Sequence, residues 1–201
     1  YTALFLVLLT YGMETTFFRF ANKSDENPQR VYSTILLSVG FTSTLFIAMV
    51  VLFLHPIAQA MGYADHPSYI WVMATTVAID AFQCIPFAYL RYQKRPIKFA
   101  TLKLLFVGSN ISLNLIYYLL LPALYEGGHQ WVNLIYSPSV GAGYAFYINL
   151  VCTASITFCF YKELRGFAYV FDKALLKRML SYSWPILVLG IAGILNQTAD
   201  K

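Results

Sequence analysis

Residues 31–54 run for 24 positions without one charged side chain, and uncharged runs of 21 recur at 104–124, 141–161 and 179–199. A helix rises ~1.5 Å per residue, so each run reaches across the ~30 Å hydrocarbon core of a bilayer. Soluble domains carry about 25% charged residues. This chain of 201 residues carries 11%, with 59% hydrophobic residues and a mean hydropathy of +0.60. Such values exclude a soluble globular fold, and equally a disordered chain, which needs low hydrophobicity and high charge.

Two further runs complete the set. Residues 68–90 are interrupted only by Asp80, and residues 1–20 only by Glu14 and Arg19. Backbone groups in lipid must find partners within their own segment, and the alternating pattern of a membrane barrel is absent, so the spans are helices. The sequence therefore predicts an all-α polytopic membrane protein, a helical bundle of about six transmembrane helices. The first residue is Tyr1, no charged leader precedes the first apolar run, and the chain stops at Asp200-Lys201 straight after the last one. These features read as an internal stretch of a longer protein.

The basic residues fall into alternate connections. Arg19, Lys23 and Arg30 flank the first; Arg91, Lys94, Arg95, Lys98 and Lys103 the third; Lys162, Arg165, Lys173, Lys177 and Arg178 the fifth. Together they are thirteen of the fourteen Lys and Arg, and the connections around 55–67 and 123–140 hold none. Such a bias in short loops places the basic ends in the cytoplasm. The net charge of +5 then reports topology and not a nucleic-acid partner. Trp71, Trp131, Tyr63, Tyr69, Tyr125 and Tyr136 lie at the opposite ends, as an interfacial aromatic belt does.

Residues 167–180 place Phe167, Val170, Phe171, Ala174, Leu175 and Met179 at helical spacing on one side and Asp172, Lys173, Lys177 and Arg178 on the other. That pattern predicts an amphipathic helix on the membrane surface, either a plain interfacial helix or a hinge between two bundles.

Ionisable groups inside spans are costly and mark cavities or buried partners. Asp80 stands first, ~18 Å into its span at the helical rise. Glu14 lies ~9 Å from the basic end of its own, followed by Thr15, Thr16 and Arg19. Arg19 and Lys103 sit where long basic side chains snorkel to headgroups, although Arg19 also has the fork that grips a phosphate. Asn110, Ser112, Asn114 and Asn149 suit interhelical hydrogen bonds or cavity lining. Pro86 and Pro185 are interior to spans and are expected to kink them, whereas Pro56 and Pro122 mark span ends. Cys84, Cys152 and Cys159 are scattered within apolar runs and read as small packing residues. His55, His66 and His129 have no metal-ligand spacing, and no phosphate loop or catalytic triad occurs.

The segment Leu9-Thr-Tyr-Gly-Met-Glu-Thr-Thr-Phe-Phe-Arg-Phe20, the later Asp80, Pro86 and Leu90-Arg-Tyr-Gln-Lys-Arg-Pro96, and Trp184-Pro185 with Asn196-Gln-Thr-Ala-Asp-Lys201 resemble a known family. They are similar to polysaccharide (O-antigen type) flippases of the multidrug/oligosaccharidyl-lipid/polysaccharide exporter superfamily, in a style that resembles proteins from Bacteroidota. The resemblance covers essentially the whole chain. It implies one lobe of a two-lobed transporter over 1–161 with its first helix missing, an inter-lobe linker over 162–180, and the first helix of the second lobe over 181–201. It also implies no enzyme and no cofactor. The activity it implies is the movement of undecaprenyl-pyrophosphate-linked oligosaccharide across the bacterial inner membrane by alternating access in polysaccharide biosynthesis. Arg19, Arg91, Lys103 and Asn114 would then bind substrate, while Asp80 and Glu14 would serve proton or sodium coupling or a switching ion pair. The implied partners are the lipid-linked oligosaccharide, membrane lipid and other polysaccharide-assembly proteins. Three rivals stand beside this reading, a cation-coupled multidrug exporter of the same superfamily, a membrane-embedded glycan-modifying enzyme and a noncatalytic scaffold of a glycan assembly complex.

Overall fold

The computed structural model describes residues 2–22, 26–60, 62–63, 66–127, 136–137, 140–141, 143–165 and 169–199. Tyr1, Lys23, His129, Trp131, Phe167, Asp200 and Lys201, named above, lie outside the described residues. All regular structure among the described residues is helical. The order is α1 (Thr2–Thr10), α2 (Met13–Ala21), α3 (Pro28–Leu52), α4 (Leu54–Ala60), α5 (Pro67–Tyr92) and α6 (Pro96–Leu115). A π-helical turn (Ile116–Leu120), α7 (Leu121–Glu126), α8 (Gly143–Cys159), α9 (Tyr161–Arg165) and α10 (Lys173–Ala199) follow.

Among the described residues, five stretches are long and apolar enough to cross a membrane: Thr2–Ala21, Pro28–Leu52, Pro67–Tyr92, Pro96–Glu126 and Lys173–Asn196. The sixth expected span, α8, is apolar but has 17 residues, about 25 Å of helix. It is shorter than the 21-residue run because its last turn tightens, with Phe160 N–H donating to Thr157 O at 3.1 Å, before α9 begins.

Starts are set by backbone chemistry more than by charge. Pro28, Pro67 and Pro96 each occupy the first helical turn, where the missing N–H costs nothing. Asn27 caps α3 by accepting from the Gln29 N–H at 3.0 Å. The helices run on through basic residues that end the uncharged runs in the sequence, Lys98 and Lys103 in α6 and Lys173, Lys177 and Arg178 in α10.

The surface helix expected over 167–180 does not form as a separate element. Residues 169–172 are non-helical, and from Lys173 the chain is one helix through Ala199. Of the expected stripe, Val170 and Phe171 lie in the non-helical stretch and are exposed, whereas Leu175 and Met179 are fully buried against the rest of the protein. The cause is a set of ties to α3. Ser33 Oγ donates to Val170 O at 3.0 Å and accepts from Val170 N–H at 2.8 Å, Thr34 Oγ1 donates to Val170 O at 3.3 Å, and Arg30 pairs with Asp172 at 2.6 Å.

α5 is the axis of the bundle, with 61% of its apolar stretch buried against 6% for 96–126. α1, α3 and α8 pack around it. The largest core lies toward the basic end, where Met13 and Phe17 of α2, Tyr32 and Ile35 of α3, Ile85 and Tyr89 of α5, and Leu175 and Met179 of α10 interlock. Phe17 is ringed edge-on by Phe18, Tyr32, Tyr89 and Tyr92. Just beyond this core, buried Glu163 pairs with Lys98 at 2.6 Å, and Tyr32 Oη donates to Glu163 O at 3.3 Å.

Candidate functional site

Asp80, Cys84, Phe87 and Arg91 follow one another on α5 at intervals of four, three and four residues, the spacing of a single helical face. Asp80 lies 13 residues after Pro67, ~20 Å down the helix. Because α5 is the most enclosed span, this face meets α1, α2, α6 and α8.

Glu14 reaches the face because the first span is broken. Tyr11 (φ 33°) and Gly12 (φ 70°) take left-handed conformations, and α2 starts afresh at Met13. Gly12 is required twice over, since a Cβ there would be in strain at that φ and would lie 2.9 Å from Ile186 Cγ2 of α10. The restart puts Glu14 in the first turn of a helix, where a negative charge is favoured.

The Glu14 carboxylate joins two turns of α5. Its Oε1 accepts from the Arg91 guanidinium and its Oε2 accepts from Cys84 Sγ at 2.8 Å. Arg91 also lies 5.4 Å from the ring centres of Phe18 and Phe99. Lys103 Nζ stands 4.2 Å above Phe87, whose ring meets Phe99 edge-on at 5.5 Å. Arg91 and Lys103 thus flank one aromatic pair, and among the described residues Glu14 is the one carboxylate paired with either. Two cations that share one ion-paired carboxylate, held by rings that favour cations, form an anion-receptive cluster, with Asp80 the next carboxylate along the same face.

Arg19 is not part of it. Its guanidinium lies 4.0 Å over the Tyr182 ring and links α2 to α10.

Asp80 opens toward a cavity of about 460 Å³ lined also by Thr2, Leu6, Met73, Thr76 and Asn149. Its Oδ1 accepts from Thr153 Oγ1 at 3.3 Å. One turn on, buried Gln83 donates to Thr153 O at 2.6 Å and to Thr157 Oγ1 at 2.7 Å, pinning α5 to α8. Asn149 also faces a second cavity of about 430 Å³ between α6 and α8, shared with Asn110 and Asn114. There Asn110 donates to Asn149 across the helices at 3.2 Å and Asn114 donates back to Asn110 at 2.9 Å, so cavity lining and interhelical bonding coincide.

Of the six residues singled out in the sequence, the structure brings Glu14, Arg91 and Lys103 to one end of the α5 face and Asp80 to its middle. Asn114 lies on α6, connected to Asp80's cavity through Asn149, and Arg19 stands apart. Cys84 is more than a packing residue, since its thiol bonds Glu14; its spacing from Asp80 and Arg91 was the available signal. The Gln83–Thr153–Thr157 tie carried no such signal, because uncharged polar residues are common in spans. Among the described residues no group of His, Cys, Asp and Glu could hold a metal ion. No protein-family model matches this chain, and no curated protein or solved structure matches it.

Proposed function

We propose that this chain is the lipid-linked oligosaccharide-translocating part of a polysaccharide flippase in the bacterial inner membrane, with its basic ends cytoplasmic. The observation that carries the reading is the Arg91–Lys103–Glu14 cluster at the basic end of the α5 face, continued by the Asp80 cavity deeper in the same bundle. A pyrophosphate with attached sugars cannot enter hydrocarbon unaided and needs a polar surface that spans its depth. Arg91 and Lys103 receive the phosphates in preference to Arg19, whose guanidinium is stacked on Tyr182. Asn110, Asn114 and Asn149 offer uncharged donors and acceptors to sugar hydroxyls, and Asp80 with Glu14 takes the coupling or switching role.

The test is made in the source bacterium with the complete gene deleted. Lipid-linked repeat units accumulate in the inner leaflet and surface glycan is lost; wild type restores it, and Arg91→Gln lowers its export by about tenfold or more, the equivalent of ~1.4 kcal/mol of lost contact. Unchanged glycan in the deletion strain overturns the reading. One observation favours a second reading, a cation-coupled multidrug exporter: Asp80 is a carboxylate in a cavity otherwise lined largely by apolar side chains. That reading predicts altered sensitivity to cationic drugs in the same strain.

A further inference from the structure

We infer that Glu14 is a tethered competitor for the phosphate site: in this state one of its carboxylate oxygens holds one arm of the Arg91 guanidinium, and the diphosphate of a prenyl-linked substrate, taking both arms, displaces it, releasing Cys84 and the start of α2. This rests on the anion-binding reading given above and adds its regulation.

The geometry leads there in three steps. Arg91 and Lys103 flank the Phe87–Phe99 pair, and Glu14 is their one carboxylate partner among the described residues. An incoming phosphate presents two oxygens to the guanidinium and carries more charge than the single Glu14 oxygen now on one arm, so a phosphate that takes both arms has to displace it. Arg91 and Glu14 are each more than a third exposed, at 41% and 35%, so the pair is reachable and its exchange is cheap.

The second step is what displacement moves. Glu14 is in the first turn of α2, two residues after the left-handed break at Tyr11-Gly12, and that break touches Ile186 and the Ser183 carbonyl of α10. Freeing Glu14 therefore unties α2 from α5 two residues from the one discontinuity in its span, where the left-handed Tyr11 and Gly12 interrupt the regular helix. The third step is a built-in reporter. The Cys84 thiol donates to the other Glu14 oxygen, so it loses its partner in the same event.

The experiment uses the purified whole protein in detergent with Cys152→Ser and Cys159→Ser, leaving Cys84 as the thiol read. Alkylation of Cys84 by a small maleimide is followed against inorganic pyrophosphate and against farnesyl pyrophosphate, and binding of both is measured by calorimetry. Both anions speed alkylation several-fold, farnesyl pyrophosphate at lower concentration. Glu14→Gln binds each about tenfold tighter, ~1.4 kcal/mol for the competing pair removed, and its Cys84 rate no longer responds. Arg91→Gln binds neither. Equal affinity in wild type and Glu14→Gln with a flat Cys84 rate overturns the displacement while leaving the anion site standing. Absence of binding in both overturns the anion site itself. Equal potency of the two anions overturns the prenyl-linked identity of the ligand.

Discussion

At the scale of single residues, this protein places its charges in pairs that cross between elements, and Asp172 shows how one side chain does two jobs. Its Oδ1 accepts from the backbone N–H of Ala174 at 2.9 Å and Leu175 at 3.0 Å, capping α10, while Oδ2 meets Arg30 of α3 at 2.6 Å. The bond from the Leu175 N–H, with Arg30 adding its charge, holds the Asp172 carboxyl below its ordinary value of 3.8. A depressed folded pKa means that protons prefer the unfolded chain. The contribution is therefore complete above the ordinary value and is lost as pH falls through the lower folded one. Asp172→Asn keeps a capping oxygen but loses the charge. The difference in melting temperature between wild type and Asp172→Asn is expected to hold steady from pH 7 to about 5 and to shrink below 3.8; a difference that grows with acid would show that the carboxyl is not held low. Asp172 was visible in the sequence only as one of the polar positions of the 167–180 pattern. Its capping role was not legible, because it depends on the backbone at 170–172 being tied to Ser33 and Thr34, residues some 137 positions away in the chain.

At the scale of elements, the uncharged runs located the spans well, because the cost of a charge in hydrocarbon is large and local. They misplaced the ends, because lysines and arginines at a helix end snorkel and let the helix continue, as in α6 and α10. They also concealed the break in the first span. Residues 1–20 are apolar almost throughout, and Gly12 is one glycine among eleven; only the contact with α10 distinguishes it. Gly62 has a similar φ of 75° yet a Cβ there would meet nothing within 4 Å, whereas at Gly12 it would meet Ile186 Cγ2 at 2.9 Å and the Ser183 carbonyl at 3.3 Å. Gly12→Ala should therefore destabilise the protein by about 2 kcal/mol, roughly half from the left-handed φ and half from overpacking. Ile186→Ala in the same chain should return the packing half and none of the backbone half, so a double-mutant cycle on thermal stability gives a coupling of about 1 kcal/mol. Additive effects would mean that α10 does not press on the break. The same argument explains why the 167–180 pattern was read as a membrane-surface helix: periodicity reports an apolar face, not what covers it, and Leu175 and Met179 are covered by Phe17, Tyr32 and their neighbours.

At the scale of the whole molecule, the antiparallel spans gather the basic connections at one end, and the ion pairs Arg30–Asp172, Arg178–Glu26, Lys98–Glu163 and Arg91–Glu14 lace that end together. In a bilayer the apolar surfaces of helices gain little by leaving lipid, so polar ties and close packing must hold the bundle. That is why the largest core and all four pairs coincide at the basic end while α6 stays largely exposed. The candidate site inherits its polarity from this arrangement: the Arg91 cluster lies at the laced end, the Asp80 cavity is mid-span, and the three asparagines stand toward the other end. The loop bias legible in the sequence sets the direction of the proposed path, and it is open to a direct check. In a chain freed of Cys84, Cys152 and Cys159, a cysteine at Tyr63 and one at Lys94 sit at opposite ends of α5. An impermeant maleimide applied to intact spheroplasts should label Tyr63→Cys and leave Lys94→Cys unlabelled until the membrane is opened. The reverse result would put the Arg91 cluster on the outside, where a cytoplasmically made lipid-linked substrate has no first contact to make, and the proposed direction of transport would fall with it.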